Sequence, residues 1–350
     1  MTKIYRPSAM NGLLTVTIAL SFIVTTSFAM KVQQTTTTKQ ATASTTKAPT
    51  TAQKPVTKHA ASHGPKTYRW FSLLDAAPYP KSYNLELFSV PGGMLLFHSD
   101  GVWKSDNGIT WRKTGLGNII TNCAFLDYVQ FKGAIYALGT FDGNIEKHTL
   151  TSQIATTTDY NTWDTLAQNS NLPARFFYHP FVFGGKLWII GGTDGHQKFA
   201  DAWTSDDAVV WTKVADSLPF GERDSQRFVT YHNRLYMLDH DVWVSDDGLS
   251  WTRLTDSIAN EPLYGYSAIV FDGKIWLVGC DRDGKFTSEL LSSTDGVTWT
   301  ASNAPWTPRG GVATCVNKNQ LIITGGKYGG QDPDHPVFQY ANDVWAMQAK

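Results

Sequence analysis

Cysteine is scarce in this chain, and so is charge. Three cysteines in 350 residues, Cys123, Cys280 and Cys315, are too few for a disulfide framework, and the odd count leaves at least one thiol over. No CxxC pair and no Cys/His spacing of the zinc type occurs, so no metal site and no cofactor site is expected. Charged residues make up 17% of the chain, and its 30 basic and 30 acidic residues cancel. Nucleic-acid binding needs a basic face, which this balance does not supply. An anionic membrane surface has no electrostatic purchase on it either. Outside the first thirty residues there is no long apolar run, and no segment keeps a helical period of useful length.

Aromatics and glycine are abundant instead: 13 Trp, 14 Tyr, 18 Phe and 29 Gly. That composition favours sheets joined by tight turns. The first residues stand apart. Lys3 and Arg6 precede an uncharged apolar run from Leu13 to Ala29, which closes on Ser27-Phe28-Ala29. This is the layout of a secretory signal peptide over 1–29, cleaved after Ala29, or of an anchor if left uncut. Residues 30–66 are Thr, Ala, Lys, Gln and Pro with almost no large apolar side chain, so they read as a disordered spacer. The folded domain is expected over 67–350, with no membrane span of its own. The chain as a whole reads as exported: secreted, periplasmic or displayed at the cell surface.

Within 67–350 the strongest signal is repetition. Val102-Trp103-Lys104-Ser105-Asp106-Asn107-Gly108-Ile109-Thr110-Trp111 recurs at Ala202 to Trp211 and at Val242 to Trp251, with weaker copies ending at Trp163 and Trp299. Each copy reads as a hairpin, an aromatic strand entering a Ser-Asp-x-Gly turn and a Trp strand leaving. The expected turn residues are Asp106, Gly108, Asp206, Asp246, Gly248, Asp295 and Gly296, the acids bonding the backbone and the glycines taking positive φ. A second element, a small turn and an apolar strand, occurs six times, at Gly93, Gly133, Gly185, Asn233, Gly273 and Asn319. The unit is thus four strands, a to d, repeated every 40 to 52 residues. Strands a and b are apolar almost throughout, as strands covered on both faces should be. The reading is an all-β, six-bladed propeller of four-stranded antiparallel blades. The sixth strand d is missing at the C-terminus, where Asn342-Asp343-Val344-Trp345 starts a strand c, and Tyr68-Arg69-Trp70-Phe71 resembles a strand d. The N-terminal strand should therefore complete the last blade and close the ring.

The Ser-Asp-x-Gly-x-Thr-Trp turns resemble the Asp-box of sialidase-type propellers. Leu187-Trp188-Ile189-Ile190-Gly191-Gly192 and Leu321-Ile322-Ile323-Thr324-Gly325-Gly326 look like kelch repeats. There are departures: Ala208 replaces one turn glycine, the boxes at 158 and 294 carry Thr with Asp one place later, and four blades lack the double glycine. The resemblance implies the propeller fold and is poor in function, since such folds host unrelated activities.

Strand order puts the Ser-Asp turns on one face and the longer b–c and d–a loops on the other, where binding is expected. Arg175, Arg223 and Arg309 each stand twelve residues before an anchor Leu of strand b. They are candidates for an anion-binding cluster at the channel mouth, or for a structural residue of the repeat. His196, Tyr264, Trp306 and Tyr328 are further ligand-binding candidates, the aromatics being expected on the surface. Two functions follow. One is a monomeric, non-enzymatic binding module for a protein or glycan, presented on a stalk. The other is a carbohydrate-active enzyme, which the resemblance implies to be of sialidase or sialic acid mutarotase type, with Glu222 beside Arg223 as its acid/base. The sialidase Arg-Ile-Pro motif is absent.

Overall fold

The computed structural model describes residues 67–83, 85–117, 123–143, 148–259, 262–282, 284–330 and 336–350. They fall within one compact unit, Pro65–Lys350. The signal-peptide and spacer readings, 1–29 and 30–66, lie outside the described residues.

Among the described residues six antiparallel sheets follow one another along the chain, five of four strands and that of blade 2 with a fifth short strand, His148–Leu150, added to its four. Blade 1 spans 86–113, blade 2 123–167, blade 3 181–215, blade 4 227–255, blade 5 267–303 and blade 6 313–349. Blade 6 receives its outermost strand, Tyr68–Leu74, from the other end of the chain. Its register repeats that of blade 4. Trp70 pairs with Met347 and Ser72 with Trp345, as Trp251 pairs with Ser245 and Arg253 with Trp243, and both ladders bulge one step later. The expected closure is therefore present residue for residue.

Side chains alternate faces along a strand, so each strand b serves two interfaces. Leu95 packs with Ile135 between blades 1 and 2, while Leu96 packs with Ile322 and Val344 between blades 6 and 1. The same alternation gives a buried apolar cluster at each of the other four junctions. Six blades thus share six cores, and strands buried on both sides read as unbroken apolar runs. Cys280 and Cys315 are buried free thiols, and burial pushes both up to about 12, which makes them inert packing residues. The side chain of Cys123 lies outside the described set.

The turns hold a correction. In the hairpin of blade 4 the bonding carboxylate is Asp247, not Asp246. Asp247 Oδ1 accepts from the backbone N–H groups of Leu249 and Ser250 at 2.8 and 2.7 Å, and from Ser245 Oγ at 3.0 Å. Asn107, Asp159, Asp207 and Asp295 do the same work in blades 1, 2, 3 and 5. Asp106, Asp206 and Asp246 point outward to Arg112, Lys186 and Arg234. The two copies with Asp one place later are therefore the regular ones. Gly108, Gly248 and Gly296 have φ of 79°, 80° and 77°. At Gly248 a Cβ would meet the Trp188 ring at 2.7 Å. Ala208 adopts the same conformation at φ 68° and is fully buried, a strained position for a residue with a side chain.

Candidate functional site at the channel mouth

The three arginines singled out by spacing do not share a pocket. Arg175 donates to both oxygens of Asp201 at 2.6 and 3.2 Å and to the Gly191 carbonyl at 2.9 Å. Arg309 repeats this with Asp343 and the Gly325 carbonyl. Arg223 grips Asp241 at 2.6 and 2.9 Å and Asp239 at 2.8 Å. In each blade the same Asp also accepts from the indole of strand c: Trp203, Trp345 or Trp243. The motif is a latch that ties the d–a loop to the start of strand c, once each in blades 3, 4 and 6. Arg175 and Arg309 are 1% and 4% exposed, which leaves no guanidinium face for a ligand. Trp306 corrects another expectation. It is buried, with Trp70 edge-on at 4.5 Å. His196 and Glu222 are exposed on separate loops, Tyr328 is half-buried, and Tyr264 is 50% exposed. Asp239, His240 and Asp241 bring ligand-type atoms within 4.8 Å of one another. Arg223 already sits on both carboxylates, so a fixed cation balances the group.

The b–c and d–a face carries a different constellation. Strand a is the innermost strand of every blade, and six residues on it or just before it stand around the central channel. Blade 1 supplies Glu86, blade 2 Asp127, blade 3 His179, blade 4 Arg227, blade 5 Ser267 and blade 6 Thr314. Their places along the repeat are equivalent or one step apart: Asp127, Arg227 and Ser267 pair with Leu138, Leu238 and Val278; Leu238 and Val278 end their strands b, whereas the strand b of blade 2 runs on to Gly143. His179 Nδ1 lies 3.6 Å from Asp127 Oδ1. Ser267 and Thr314 share a hydroxyl hydrogen bond of 2.7 Å. Arg227 makes one hydrogen bond, from Nε to the Tyr266 carbonyl at 3.2 Å. Among the described residues no carboxylate lies within ion-pair distance of it.

This environment shifts the groups in distinct ways. Burial pushes the Glu86 carboxyl up to about 7, with the Arg227 charge opposing and that of Asp127 adding. Glu86 is nonetheless partly accessible to water. His179 is lowered by burial and then by Arg227, so its imidazole is neutral at neutral pH. Arg227 is also lowered by burial, with Glu86 the first charge to oppose this. Backbone strain marks the same place: Phe177, His179 and Ser225 have φ of 58°, 45° and 65°, a cost usually retained near function. Ser225 N–H donates to the Phe177 carbonyl at 2.7 Å and holds the two loops together.

The surrounding rim is uneven. The b–c connections of blades 1 and 4 are residues 99–100 and 239–241, whereas those of blades 2, 3, 5 and 6 are residues 144–153, 191–201, 279–288 and 325–343. Blades 1 and 4 are opposite one another in a ring of six, so the two shortest b–c connections stand across the ring from each other. The bank over blades 5 and 6 is aromatic. Tyr83 stacks on Tyr340 at 5.5 Å, Phe286 meets Phe338 at 6.4 Å, and Lys327 Nζ lies 4.9 Å from the rings of both Tyr83 and Phe338.

A family profile described as the DUF6242 beta propeller domain matches residues 157–350. The chain belongs to this family. The match takes in blades 3 to 6 of the DUF6242 propeller, and so His179, Arg227, Ser267 and Thr314. A search of curated proteins finds no match. Among solved structures, one titled "Structure of YjhT" is similar, with a TM-score of 0.62 over 80% of this chain and 100% of that one, at 14% identity. At that identity the likeness is one of fold.

Proposed function

We propose that this protein is an exported binding module that takes an anionic, hydroxyl-rich ligand, a carboxylated sugar residue of a glycan, at the channel mouth on the b–c and d–a face. One observation carries the reading. Three of the arginines on this face are committed to aspartates, and Arg227 is not. A partly accessible guanidinium enclosed by protein, with no ion pair among the described residues, is suited to pair with a ligand carboxylate. Around it stand groups that hydrogen-bond hydroxyls: the His179 imidazole, the Ser267 and Thr314 hydroxyls, and the Asp127 and Glu86 carboxyls. The exposed Tyr264 on the aromatic bank offers a face on which a sugar ring stacks. Kelch-like and Asp-box-like repeats fit this scaffold without dictating its ligand.

The decisive measurement is calorimetry with a glucuronate-containing oligosaccharide. Arg227→Ala should weaken binding at least tenfold, and Tyr264→Ala a few-fold. Equal affinity in Arg227→Ala and the unmodified chain would remove the proposal. A second reading rests on Glu86 near 7, a value suited to a general acid/base at neutral pH. In it the mouth performs proton-transfer chemistry on a sugar, as enzymes of sialidase or sialic acid mutarotase type do, with Glu86 in the role first assigned to Glu222. Product formation from the bound sugar, lost in Glu86→Gln, would favour that reading over simple binding.

A further inference from the structure

We propose that the opposite face, where the Ser-Asp turns lie, carries a second binding site: a cleft between blades 3 and 4 that seats the ammonium of a lysine side chain from a partner polypeptide. The cleft has a volume of about 680 Å³, within the range of ligand pockets. Both blades line it. Blade 3 gives Phe183, Gly184 and Trp188, and blade 4 gives Asn233, Asp246 and Asp247. The site is separate from the channel mouth and does not depend on Arg227.

The repeat shows what this cleft lacks. In every blade a two-residue turn joins strands a and b, and its first residue is Pro91, Lys132, Gly184, His232, Asp272 or Lys318. At most junctions a side chain from this place spans the gap to the next blade. Lys132 Nζ donates to the Asp206 carbonyl at 2.8 Å, and Lys318 Nζ to the Asp106 carbonyl at 3.0 Å. Between blades 4 and 5 the Tyr231 hydroxyl, one residue before the turn, lies 3.1 Å from the equivalent carbonyl, that of Thr294. Between blades 5 and 6 Tyr68 donates to Asp272 Oδ2 at 3.1 Å. At the junction of blades 3 and 4 these places hold Gly184 and Phe183, and neither side chain has a donor. Among the described residues no side chain donates to the Asp246 carbonyl. The junction of blades 1 and 2 has Pro91 in the turn, but there the matching residue of the next blade is the uncharged Thr158.

Charge and aromatic surface select the occupant. At the junction of blades 2 and 3 the turn acids Asp206 and Asp207 meet two ammoniums. Lys186 holds the Asp206 carboxylate at 2.7 Å, and Lys132 takes the carbonyl with its Nζ 4.8 Å from the Phe131 ring. At the junction of blades 3 and 4 the turn acids Asp246 and Asp247 have one cation, Arg234 on Asp246 at 2.7 Å. Lys186 also lines the cleft, but its ammonium is held by Asp206. Phe183 stands in the place of Phe131, each the last residue of its strand a. A carbonyl acceptor, an unmatched carboxylate charge and an aromatic ring are thus set out as they are around Lys132, without the ammonium. A primary ammonium on an apolar stem answers all three, and the stem would lie along Val182 and Trp188. The cleft is larger than one lysine side chain, which leaves room for the flanking backbone of a polypeptide.

The test is saturation-transfer NMR of the full chain with three probes: a capped peptide carrying a single lysine between glycines, the same peptide acetylated on Nζ, and n-butylammonium. Saturation should reach the lysine methylene protons, and acetylation should weaken binding at least tenfold. Gly184→Lys supplies the ammonium from within. Gly184 has φ 58°, close to the 48° of Lys132 and Lys318, and a Cβ there meets nothing within 4 Å. That variant should no longer bind the peptide, whereas Gly184→Ala should still do so. A peptide that receives no saturation, that binds equally when acetylated, or that binds Gly184→Lys as well as the unmodified chain overturns the proposal. Butylammonium binding as tightly as the peptide overturns the assignment to a polypeptide and leaves an alkylamine site. If Gly184→Lys does not fold, as judged by tryptophan fluorescence, the two peptides compared on the unmodified chain still decide.

Discussion

Single residues separate acids that look alike in sequence. Asp246 and Asp247 are neighbours, yet Asp247 closes a hairpin and Asp246 meets Arg234 in solvent. Asp247→Ala should cost about 1–2 kcal/mol, the range for removing a charged acceptor from backbone donors. Asp246→Ala should change stability by no more than about 0.5 kcal/mol. Chemical denaturation of the two variants measures both. The backbone bonds hold the Asp247 carboxyl down to about 2, so its contribution is whole above pH 4 and is lost as pH falls through 2. Sequence spacing located the turns and missed which acid closes them, because Ser-Asp-Asp offers two candidates to a pattern. The copies with a single acid, at Asp159 and Asp295, held the answer. The arginines were also found by spacing, and their recurrence with the repeat matched the latch role that the structure shows. Trp306 was misplaced because a loop tryptophan carries no mark of the strand that will cover it. Here that strand is Tyr68–Leu74, more than two hundred residues away.

At the scale of the element, strand a and the residue or two before it hold the residues of the mouth, and the signal for them was present. Asp127, His179, Arg227 and Ser267 each lie eight residues before the strand-b anchor of their blade, and Glu86 lies nine before Leu95. An ionisable residue in a strand otherwise buried on both faces is the informative exception in such a pattern. The closing strand, by contrast, was legible down to its register, because its Trp repeats the mark of the other five. Tyr68 and Trp70 pack in the junction of blades 5 and 6, and Leu73 and Leu74 in that of blades 6 and 1. Deleting 67–74 should therefore lower stability by more than truncation of one core aromatic, about 3–5 kcal/mol. Deleting 31–60 should leave the denaturation midpoint unmoved. Equal midpoints for the two deletions would contradict the closure.

For the whole molecule, pH reports on Glu86 through stability. The folded chain keeps a proton on Glu86 that the unfolded chain releases near 4.5. Between about 4.5 and 7 the folded state thus holds the extra proton, and its stability falls as pH rises. Above 7 the penalty is complete. Glu86→Gln removes it, so the variant should be more stable than the unmodified chain by about 3 kcal/mol at pH 8, and no different at pH 4. Denaturant titrations at the two pH values test this, and a variant less stable at pH 8 would show that the carboxylate is stabilised by its neighbours. The ring that presents this site has a history in time. Residues 68–74 are made before every blade, and their partner, Val344–Ala349, only after the other five blades. The ring can take its fixed width only once these two segments have met.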